Sequence, residues 1–441
     1  MLDIIILGAT GYTGRLITRY LAAHPQRAAF TFGLAARSEQ KLEALKDELG
    51  DAVRQVPTFV VDVTKPDDID SIVQETRIVI TTVGPYWLWG TPVVQACVRH
   101  GRHYLDLSGE TPWARDIIAS FDYAASKSNT VIVPFAGLDS IPSDIVAYVA
   151  NKTLKSFAGP STTIDMSTSA WRLKGTGISG GTFSTIITSL ETIPRTKLKA
   201  GLSDFALSPV QGIPMGPRPR PFYSLPILNP PVRGALYFMS AVNTLIVQRS
   251  WGLFELAARN PTAVFPPELS TTVHMSESSY GPAFKYEEFM VLPSRLHALL
   301  LWVSVIVVGY VMALFPPARW VARKVMPKPG QGPTDQQLEA GSVLITNITT
   351  STPDAEGRTV SARTTFKGKG EPGYLLSSIM ISESALALVL NKDSLPPFGR
   401  RGGVLTPMTA FGDVLIQRLN ACGRISIESA ILPTDEEKKH R

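Results

Sequence analysis

The feature that most constrains the fold is a glycine-rich turn that directly follows the first apolar run of the chain. Residues 3–7 (DIIIL) are typical of a short buried strand, and residues 8–14 (GATGYTG) carry glycines at a G-x-x-G-x-x-G spacing. A helix-like segment, residues 15–23, ends before Pro25, and a second apolar run follows at residues 28–36. This succession predicts the β-α-β unit that binds dinucleotides.

The glycines of this turn have separate predicted roles. A side chain at Gly8 or Gly11 would keep the main chain away from a pyrophosphate, and Gly14 would let the first helix pack closely on the strand. The positive end of that helix would then face the anion. The predicted cofactor contacts from this turn are Gly8, Thr10, Gly11, Tyr12, Thr13 and Gly14. The alternative is a glycine turn that binds no cofactor.

The residues after the second apolar run indicate which dinucleotide is bound. A carboxylate at this position holds a ribose 2′-hydroxyl group, whereas an arginine accommodates a 2′-phosphate. Because this chain has Arg37 and Ser38 there, followed by Lys41, we predict NADP(H) as the cofactor. The alternative is that Ser38 caps a helix while Arg37 and Lys41 are merely solvated. Asp62, at the end of the third apolar run, is predicted to contact the adenine, or else to cap the turn before Lys65.

The composition argues against several classes of protein. The 441 residues are enough for two domains, and the net charge of +6 comes from basic residues spread along the chain without an aromatic-basic ladder, which argues against a nucleic-acid partner. Cys97 and Cys422 lack C-x-x-C spacing and are expected to be reduced thiols, and no His/Cys set has metal-site spacing. Since Asp3 already belongs to the first strand, we expect no signal peptide and an intracellular protein.

The alternation of strands and helices predicts an α/β fold. Short apolar runs separated by helices predict a Rossmann-type, doubly wound parallel sheet over residues 1–150. Over residues 151–400 the runs become longer, richer in Thr and Val, and partly alternating, which predicts a second α+β domain with a mostly antiparallel sheet. Residues 401–441 are predicted to return to the core as a helix and a strand.

Two details of the second domain can be predicted from turn chemistry. The runs at residues 343–350 and 359–366 flank residues 353–357 (PDAEG) as the strands of a hairpin would. Residues 205–235 hold many prolines and are predicted to form an extended loop over a surface or cleft.

Residues 298–315 (ALLLWVSVIVVGYVMALF) carry no charged side chain, and basic residues lie on both sides of them. This length is at the lower limit for a bilayer span, which takes about 17–25 residues. A single span would put the later strands across the membrane from the cofactor domain and would split the second sheet. We therefore expect a monotopic or hairpin-like anchor at a membrane or lipid-droplet surface, with the cofactor domain in the cytoplasm. The alternative is a helix buried wholly within the protein.

Further stretches of the sequence resemble one known family. They are residues 82–86 with 90–97 (TVGPY and GTPVVQAC), 104–110 (YLDLSGE), 137–144 (GLDSIPSD) and 179–182 (SGGT), with weaker matches at 372–374 (PGY) and 402–407 (GGVLTP). In order and spacing they resemble the saccharopine dehydrogenase-like oxidoreductases, a family that includes trans-acting enoyl reductases of bacterial lipid synthesis. The resemblance extends over nearly the whole chain and implies an oxidoreductase.

These stretches supply more candidate site residues. Val83, Gly84 and Pro85 close the fourth strand at its carboxyl end, where open α/β sheets bind ligands, and they are predicted to line the crevice for the nicotinamide ribose. Asp139 and Ser140 follow the sixth strand and are predicted to meet the substrate or the nicotinamide amide. For each residue the alternative is turn or helix-cap chemistry.

Reduction of a C=C or C=O bond also requires a proton donor. The candidates at the ends of predicted strands are Tyr86, Tyr104, Asp106 and Glu110. We predict Tyr86 and Tyr104 as the catalytic residues, because a phenol could protonate an enolate formed by hydride addition. A purely structural role is the alternative for each.

The apolar segment and the proline-rich loop favour an apolar, lipid- or polyketide-like substrate over saccharopine, which requires groups for several carboxylates and an ammonium. We therefore predict NADP(H)-dependent reduction of an enoyl C=C bond or a C=O bond. Two alternatives stay open: a C–N oxidoreductase of amino-acid metabolism, and a non-catalytic NADP-binding protein on membranes or lipid droplets. The second domain is also a candidate homodimer interface.

Overall fold

Two sheets, A and B, organise the chain in the computed structural model, and each has seven strands within the described residues. The structure describes residues 1–138, 140–175, 180–216, 219–225, 227–228, 230–270, 277–325 and 330–433. Within these ranges it does not describe the side chains of residues 180–183, 270 and 323.

The strands are, in chain order, β1 (Leu2–Leu7), β2 (Phe32–Ala36), β3 (Thr58–Val60), β4 (Thr76–Thr81), β5 (His103–Asp106), β6 (Val131–Val133), β7 (Ile164–Lys174), β8 (Tyr223–Leu225), β9 (Val232–Leu236), β10 (Lys285–Val291), β11 (Ser342–Ser351), β12 (Ser361–Lys369), β13 (Gly403–Val404) and β14 (Ile425–Ile431).

The α-helices are α1 (Tyr12–Ala22), α2 (Glu39–Leu49), α3 (Pro66–Gln74), α4 (Tyr86–His100), α5 (Thr111–Lys127), α6 (Ile141–Ala158), α7 (Gly180–Thr192), α8 (Arg195–Gly201), α9 (Ser240–Arg259), α10 (Pro261–Val264), α11 (Pro267–Ser270), α12 (Arg295–Leu314), α13 (Pro316–Val325), α14 (Asp335–Ala340), α15 (Ser377–Leu390), α16 (Pro397–Arg401) and α17 (Pro407–Ala421). A π-helical turn, Pro372–Leu376, precedes α15.

Sheet A is parallel, with the strand order β3-β2-β1-β4-β5-β6-β13. Successive side chains of β1 enter different cores: Ile4 and Ile6 pack with α1 and α15, whereas Ile5 and Leu7 pack with α3, α4 and α5. A strand buried on both faces must be apolar at every position, which explains the uninterrupted run that opens the sequence. This is the predicted doubly wound sheet, extended by one strand from the C-terminal segment.

Sheet B has the order β14-β12-β11-β7-β10-β9-β8, and only the β7–β10 pair is parallel. Helices α6, α9 and α17 pack against the sheet. The hairpin predicted around residues 353–357 is present as the antiparallel pair β11–β12. The α/β fold class with a second, mostly antiparallel sheet is therefore confirmed.

One prediction about local structure is wrong. Residues 205–235 are not a loop throughout, because β8 lies there and β9, which begins at Val232, pairs with β10. Helix α4 begins at Tyr86, because the carboxylate of Glu110 accepts hydrogen bonds from the main-chain N–H groups of Tyr86 and Trp87 and so caps its first turn.

Two described helical stretches are long and apolar enough to cross a membrane, α12 and residues 372–390. The second is a core element, since 78% of its apolar window is buried. For α12 the buried share is 6%, and Ala298 is its one buried residue. The alternative that residues 298–315 form a buried core helix is therefore wrong.

Candidate cofactor and substrate site

The glycine turn between β1 and α1 has the close packing that its spacing predicts. Gly8 has a φ of +89°, and a Cβ atom there would lie 2.7 Å from Thr82 Oγ1. A Cβ atom on Gly14 would lie 2.3 Å from the carbonyl oxygen of Gly8, so only glycine lets α1 approach the strand this closely. The N–H groups of Gly8 and Ala9 both donate to the carbonyl oxygen of Ala35, which fastens the turn to β2.

Gly11 leaves room for an anion in front of α1. Within the described part of the chain, a Cβ atom on Gly11 would meet one atom within 4 Å, the carbonyl oxygen of Gly8 at 3.2 Å. No side chain caps the helix at Gly11, and its first turn carries no acidic residue. Thr10 and Thr13 are partly exposed beside this space. The turn therefore fits a pyrophosphate bound by main-chain N–H groups at a helix N-terminus.

Tyr12, predicted to contact the cofactor, directs its side chain elsewhere. Its hydroxyl donates to the carbonyl oxygen of Pro333 at 2.5 Å, and its ring packs edge-on against Tyr374 with centroids 5.3 Å apart. Burial, with the nearby carboxylates of Glu371 and Asp335, raises the pKa of Tyr12 to about 12. Only the main chain of Tyr12 stays at the turn, because the side chain links α1 to the second domain.

The predicted 2′-phosphate residues lie at the end of β2. Arg37 is exposed, and the Ser38 hydroxyl accepts a hydrogen bond from the main-chain N–H of Lys41 at 3.3 Å, so Ser38 is the N-cap of α2. The carboxylate of Asp62 accepts hydrogen bonds from the main-chain N–H and the hydroxyl of Thr64. These hydrogen bonds lower the pKa of Asp62, and the positive charge of Arg37 lowers it further. Arg37 thus offers a solvent-facing guanidinium beside a capped helix, as a 2′-phosphate site requires.

The turns after β4 and β5 lie at the carboxyl edge of sheet A, where the sequence predicts the nicotinamide crevice. Gly84 and Gly109 are exposed at these turns, and Val83 donates its main-chain N–H to the Thr81 hydroxyl at 3.2 Å. The Gly84–Pro85 peptide bond is cis. Both turns follow the carboxyl ends of parallel strands, where open α/β sheets bind ligands.

The second domain packs two side chains against these turns, and local sequence patterns indicated neither of them. A Cβ atom on Gly84 would lie 3.2 Å from the hydroxyl oxygen of Thr185 in α7, and one on Gly109 would lie 3.8 Å from Cε of Met239. Neither side chain carries a charge. No local motif marks Thr185 or Met239, because only the docking of the two domains brings them to these turns.

Tyr86 and Tyr104 do not present their hydroxyl groups to this crevice. The Tyr86 hydroxyl donates to the carbonyl oxygen of Thr81 at 3.2 Å and accepts from the N–H of Leu107 at 3.3 Å. Tyr104 is fully buried and donates to Asp106 at 2.8 Å. Burial raises the pKa of both phenols well above the ordinary value. Both phenols are buried and hydrogen-bonded within the protein, which corrects the expectation that they face the cleft, while their predicted catalytic role stays untested.

The two carboxyl groups considered as proton donors also hold the main chain in place. Asp106 accepts from the N–H groups of Ser108 and Phe135, and burial raises its pKa to about 7. Glu110 caps α4 as described above, and burial raises its pKa as well. These groups shape the crevice by fixing the turns that line it.

Comparison with known proteins identifies the family. The model of the saccharopine dehydrogenase NADP-binding domain matches residues 4–133. A Mycobacterium tuberculosis protein with a provisional trans-acting enoyl reductase name is 33% identical over 450 residues, covering 98% of each chain. This chain belongs to the saccharopine dehydrogenase-like oxidoreductase family. A trans-acting enoyl reductase of Mycobacterium bovis is 29% identical over 438 residues, covering 96% of each chain.

The fold of this oxidoreductase is shared with a solved member of the family. Saccharopine dehydrogenase (L-glutamate forming) of Saccharomyces cerevisiae superposes with a TM-score of 0.51 at 13% identity, over 98% of this chain and 100% of that one. Together with the matched NADP-binding domain, these similarities confirm an NADP-dependent oxidoreductase.

Two of the sequence stretches that resemble the family, residues 137–144 and 402–407, lie next to each other in the folded chain. Asp144, which ends the stretch 137–144, accepts a hydrogen bond from the N–H of Met408 at 2.9 Å, directly after the stretch 402–407. Ser140 is fully buried, and its N–H donates to the carbonyl oxygen of Gly137 at 3.3 Å. Asp139 and Ser179 lie outside the described residues. The buried position of Ser140 makes it part of the turn after β6, and its predicted substrate contact stays untested.

Proposed function

We propose that this oxidoreductase is an NADPH-dependent enoyl reductase that acts on an apolar, lipid- or polyketide-like acyl substrate. The observation that carries the proposal is the 33% identity to the Mycobacterium tuberculosis protein over 98% of both chains. That similarity includes the second domain, which the match to the NADP-binding domain at residues 4–133 leaves out.

The walls of the crevice support an uncharged reacting group. Among the described side chains of the second domain, those nearest to Gly84 and Gly109 are a threonine hydroxyl and a methionine thioether. The cation of Lys197 lies 5.1 Å from the ring centre of Trp87, but it is paired with Asp116. A substrate with several carboxylates would require charged partners at these positions.

The residues of this chain would have separate roles in binding the cofactor and the substrate. When bound, NADPH supplies the hydride, and the protein supplies position and electrostatics. The turn from Gly8 to Gly14 would hold the pyrophosphate, Arg37 the 2′-phosphate, and the main chain from Val83 to Pro85 the nicotinamide ribose. Thr185 would donate its hydroxyl to the substrate carbonyl and orient it in the crevice.

The test of the reaction is NADPH oxidation with a panel of substrates. α,β-Unsaturated acyl thioesters should be reduced in preference to 3-oxoacyl thioesters, while lysine with a 2-oxo acid should give no turnover. Turnover of lysine with a 2-oxo acid would establish the C–N oxidoreductase instead. NADPH binding without turnover of any acyl thioester would favour the non-catalytic alternative.

The role of Thr185 can be tested on the same helix. Thr185→Val should lower kcat/KM for the acyl substrate by about 10- to 100-fold without changing the affinity for NADPH. The matched control is Thr192→Val, which removes an exposed hydroxyl that donates to the carbonyl oxygen of Thr188. Equal activity of Thr185→Val and Thr192→Val would remove Thr185 from the site.

A further inference from the structure

Helices α12 and α13, residues 295–325, expose far more apolar surface than a soluble protein ordinarily does. We refer to them as the apolar helix pair. Their large apolar side chains with 41% to 78% exposure are Leu296, Leu299, Leu300, Val303, Val307, Val308, Tyr310, Val311, Leu314, Phe315, Trp320, Val321 and Val325. Contiguous exposed apolar surface of this kind marks a surface that another partner covers.

The exposed positions of α12 form one continuous side of the helix. Leu300, Val307, Val311 and Leu314 recur at the spacing of a single helical face, and the exposed run from Leu296 to Leu314 is about 27 Å long at the rise of an α-helix. This is enough apolar length to lie along a lipid surface.

Contacts at both ends attach the apolar helix pair to the body of the protein. Near the start of α12, the indole N–H of Trp302 donates to the carbonyl oxygen of Pro219 at 3.2 Å, and the helix packs on β9. In α13, Arg319 donates to the carbonyl oxygen of Met312 at 2.7 Å and lies 3.4 Å from Glu191 of α7. The exposed apolar side chains are therefore presented on a fixed support.

The charges of the apolar helix pair all have one sign. Residues 295–325 contain Arg295, Arg319, Arg323 and Lys324 and no acidic residue. Lys324 Nζ lies 3.7 Å from the ring centre of Trp320, which is 59% exposed. Aromatic rings and cations at the border of an apolar surface are typical of proteins that sit in the headgroup region of anionic membranes.

The topology of sheet B excludes a single crossing of the membrane. Strand β10 ends at Val291, before α12, and β11 begins at Ser342, after α13. Both strands are hydrogen-bonded to β7. A crossing by α12 would put β10 and β11 on opposite sides of the bilayer, and they could not then share β7 as a neighbour.

We propose that the apolar helix pair docks this oxidoreductase onto a phospholipid bilayer with anionic headgroups, with α12 lying in the plane of the interface. Helix α7 connects this surface to the crevice, because Glu191 faces Arg319 at one point of the helix and Thr185 faces Gly84 about 9 Å away along it. An apolar substrate dissolved in the bilayer would enter the crevice beside α7. This last step rests on the proposed function, whereas docking does not.

The test of docking is flotation of the purified full chain with vesicles of phosphatidylcholine and phosphatidylglycerol. The wild type should float with these vesicles and bind more weakly to vesicles of phosphatidylcholine alone or in high salt. Val307→Asp with Val311→Asp should weaken vesicle binding by at least about tenfold, because two carboxylates would have to enter the acyl region. The matched control is Tyr123→Asp with Phe157→Asp, which removes two exposed apolar side chains on other helices and should bind like the wild type.

Several outcomes would overturn the proposal. They are the absence of flotation by the wild type, equal binding by the Val307/Val311 variant, and a wild-type dimer that this variant turns into a monomer without any vesicle binding. The third outcome would mean that a second copy of the chain covers the surface. Thermal melting and NADPH affinity of each variant verify the fold. Flotation together with no turnover of any acyl thioester would refute the proposed function and leave docking standing.

Discussion

The glycine turn before α1 has two expected roles, which are binding the pyrophosphate and packing the helix on the strand. Alanine substitutions at two of its glycines, three residues apart, separate these roles. Gly11 has φ −72° and ψ 165°, an extended backbone that alanine adopts without strain. Of the described atoms, the new Cβ atom would meet only the carbonyl oxygen of Gly8, at 3.2 Å. Gly11→Ala should therefore change the free energy of unfolding by no more than about 1 kcal/mol, in either direction.

The same methyl group would occupy the space in front of the helix N-terminus. Main-chain N–H groups could then no longer approach the pyrophosphate, and we expect the NADPH dissociation constant to rise at least tenfold, which is about 1.4 kcal/mol. Isothermal calorimetry of the folded variant measures this change directly.

Gly14→Ala should instead lower the stability of the fold. Its Cβ atom would lie 2.3 Å from the carbonyl oxygen of Gly8 and 2.8 Å from Cα of Ala9, so α1 must move away from the strand. We expect a loss of about 1–3 kcal/mol in the free energy of unfolding, measured by urea denaturation. A stable Gly11→Ala variant that binds NADPH like the wild type would refute the assignment of the turn, and an undiminished stability of Gly14→Ala would refute its packing role.

Three further predictions test other parts of the site. Arg37→Gln should weaken NADPH binding by about 1.5–3 kcal/mol and leave NADH binding unchanged, and equal losses for both cofactors in calorimetry would contradict the 2′-phosphate contact. Tyr86→Phe should cost about 1 kcal/mol of stability and keep its turnover, because the hydroxyl bonds only main-chain groups; a hundredfold loss of kcat would restore a catalytic role. Burial raises the pKa of Glu288 to about 7, so the folded state holds a proton that the unfolded state releases, and wild-type stability should fall as pH rises from about 5 to 7. In the Glu288→Gln variant, the loss of unfolding free energy between pH 5 and 7 should be about 2 kcal/mol smaller than in the wild type. Parallel curves of unfolding free energy against pH for wild type and variant would refute this role of Glu288.

Much of the predicted NADP-binding domain could be inferred from the sequence, because its strands and turns depend on residues that are close together in the chain. A strand buried on both faces is apolar throughout, a tight turn needs Gly8 and Gly14, and Arg37 follows the second strand within one β-α-β unit. Each of these signals spans a few neighbouring residues. They predict the doubly wound sheet and NADP without reference to any contact between distant segments.

The tertiary structure decided which side chains face the crevice. Tyr86 begins α4 and Tyr104 lies within β5, and both are buried because other segments of the chain pack against them. Thr185 and Met239 reach the site from the second domain, and Tyr12 leaves it for Pro333, more than three hundred positions along the chain. The sequence alone therefore determined the fold of the first domain and its cofactor, since these follow from local backbone geometry and periodicity. The contacts of Thr185 and Met239 with the turns after β4 and β5, and the exposure of α12, required the structure, because they arise where segments far apart in the chain meet or fail to cover one another.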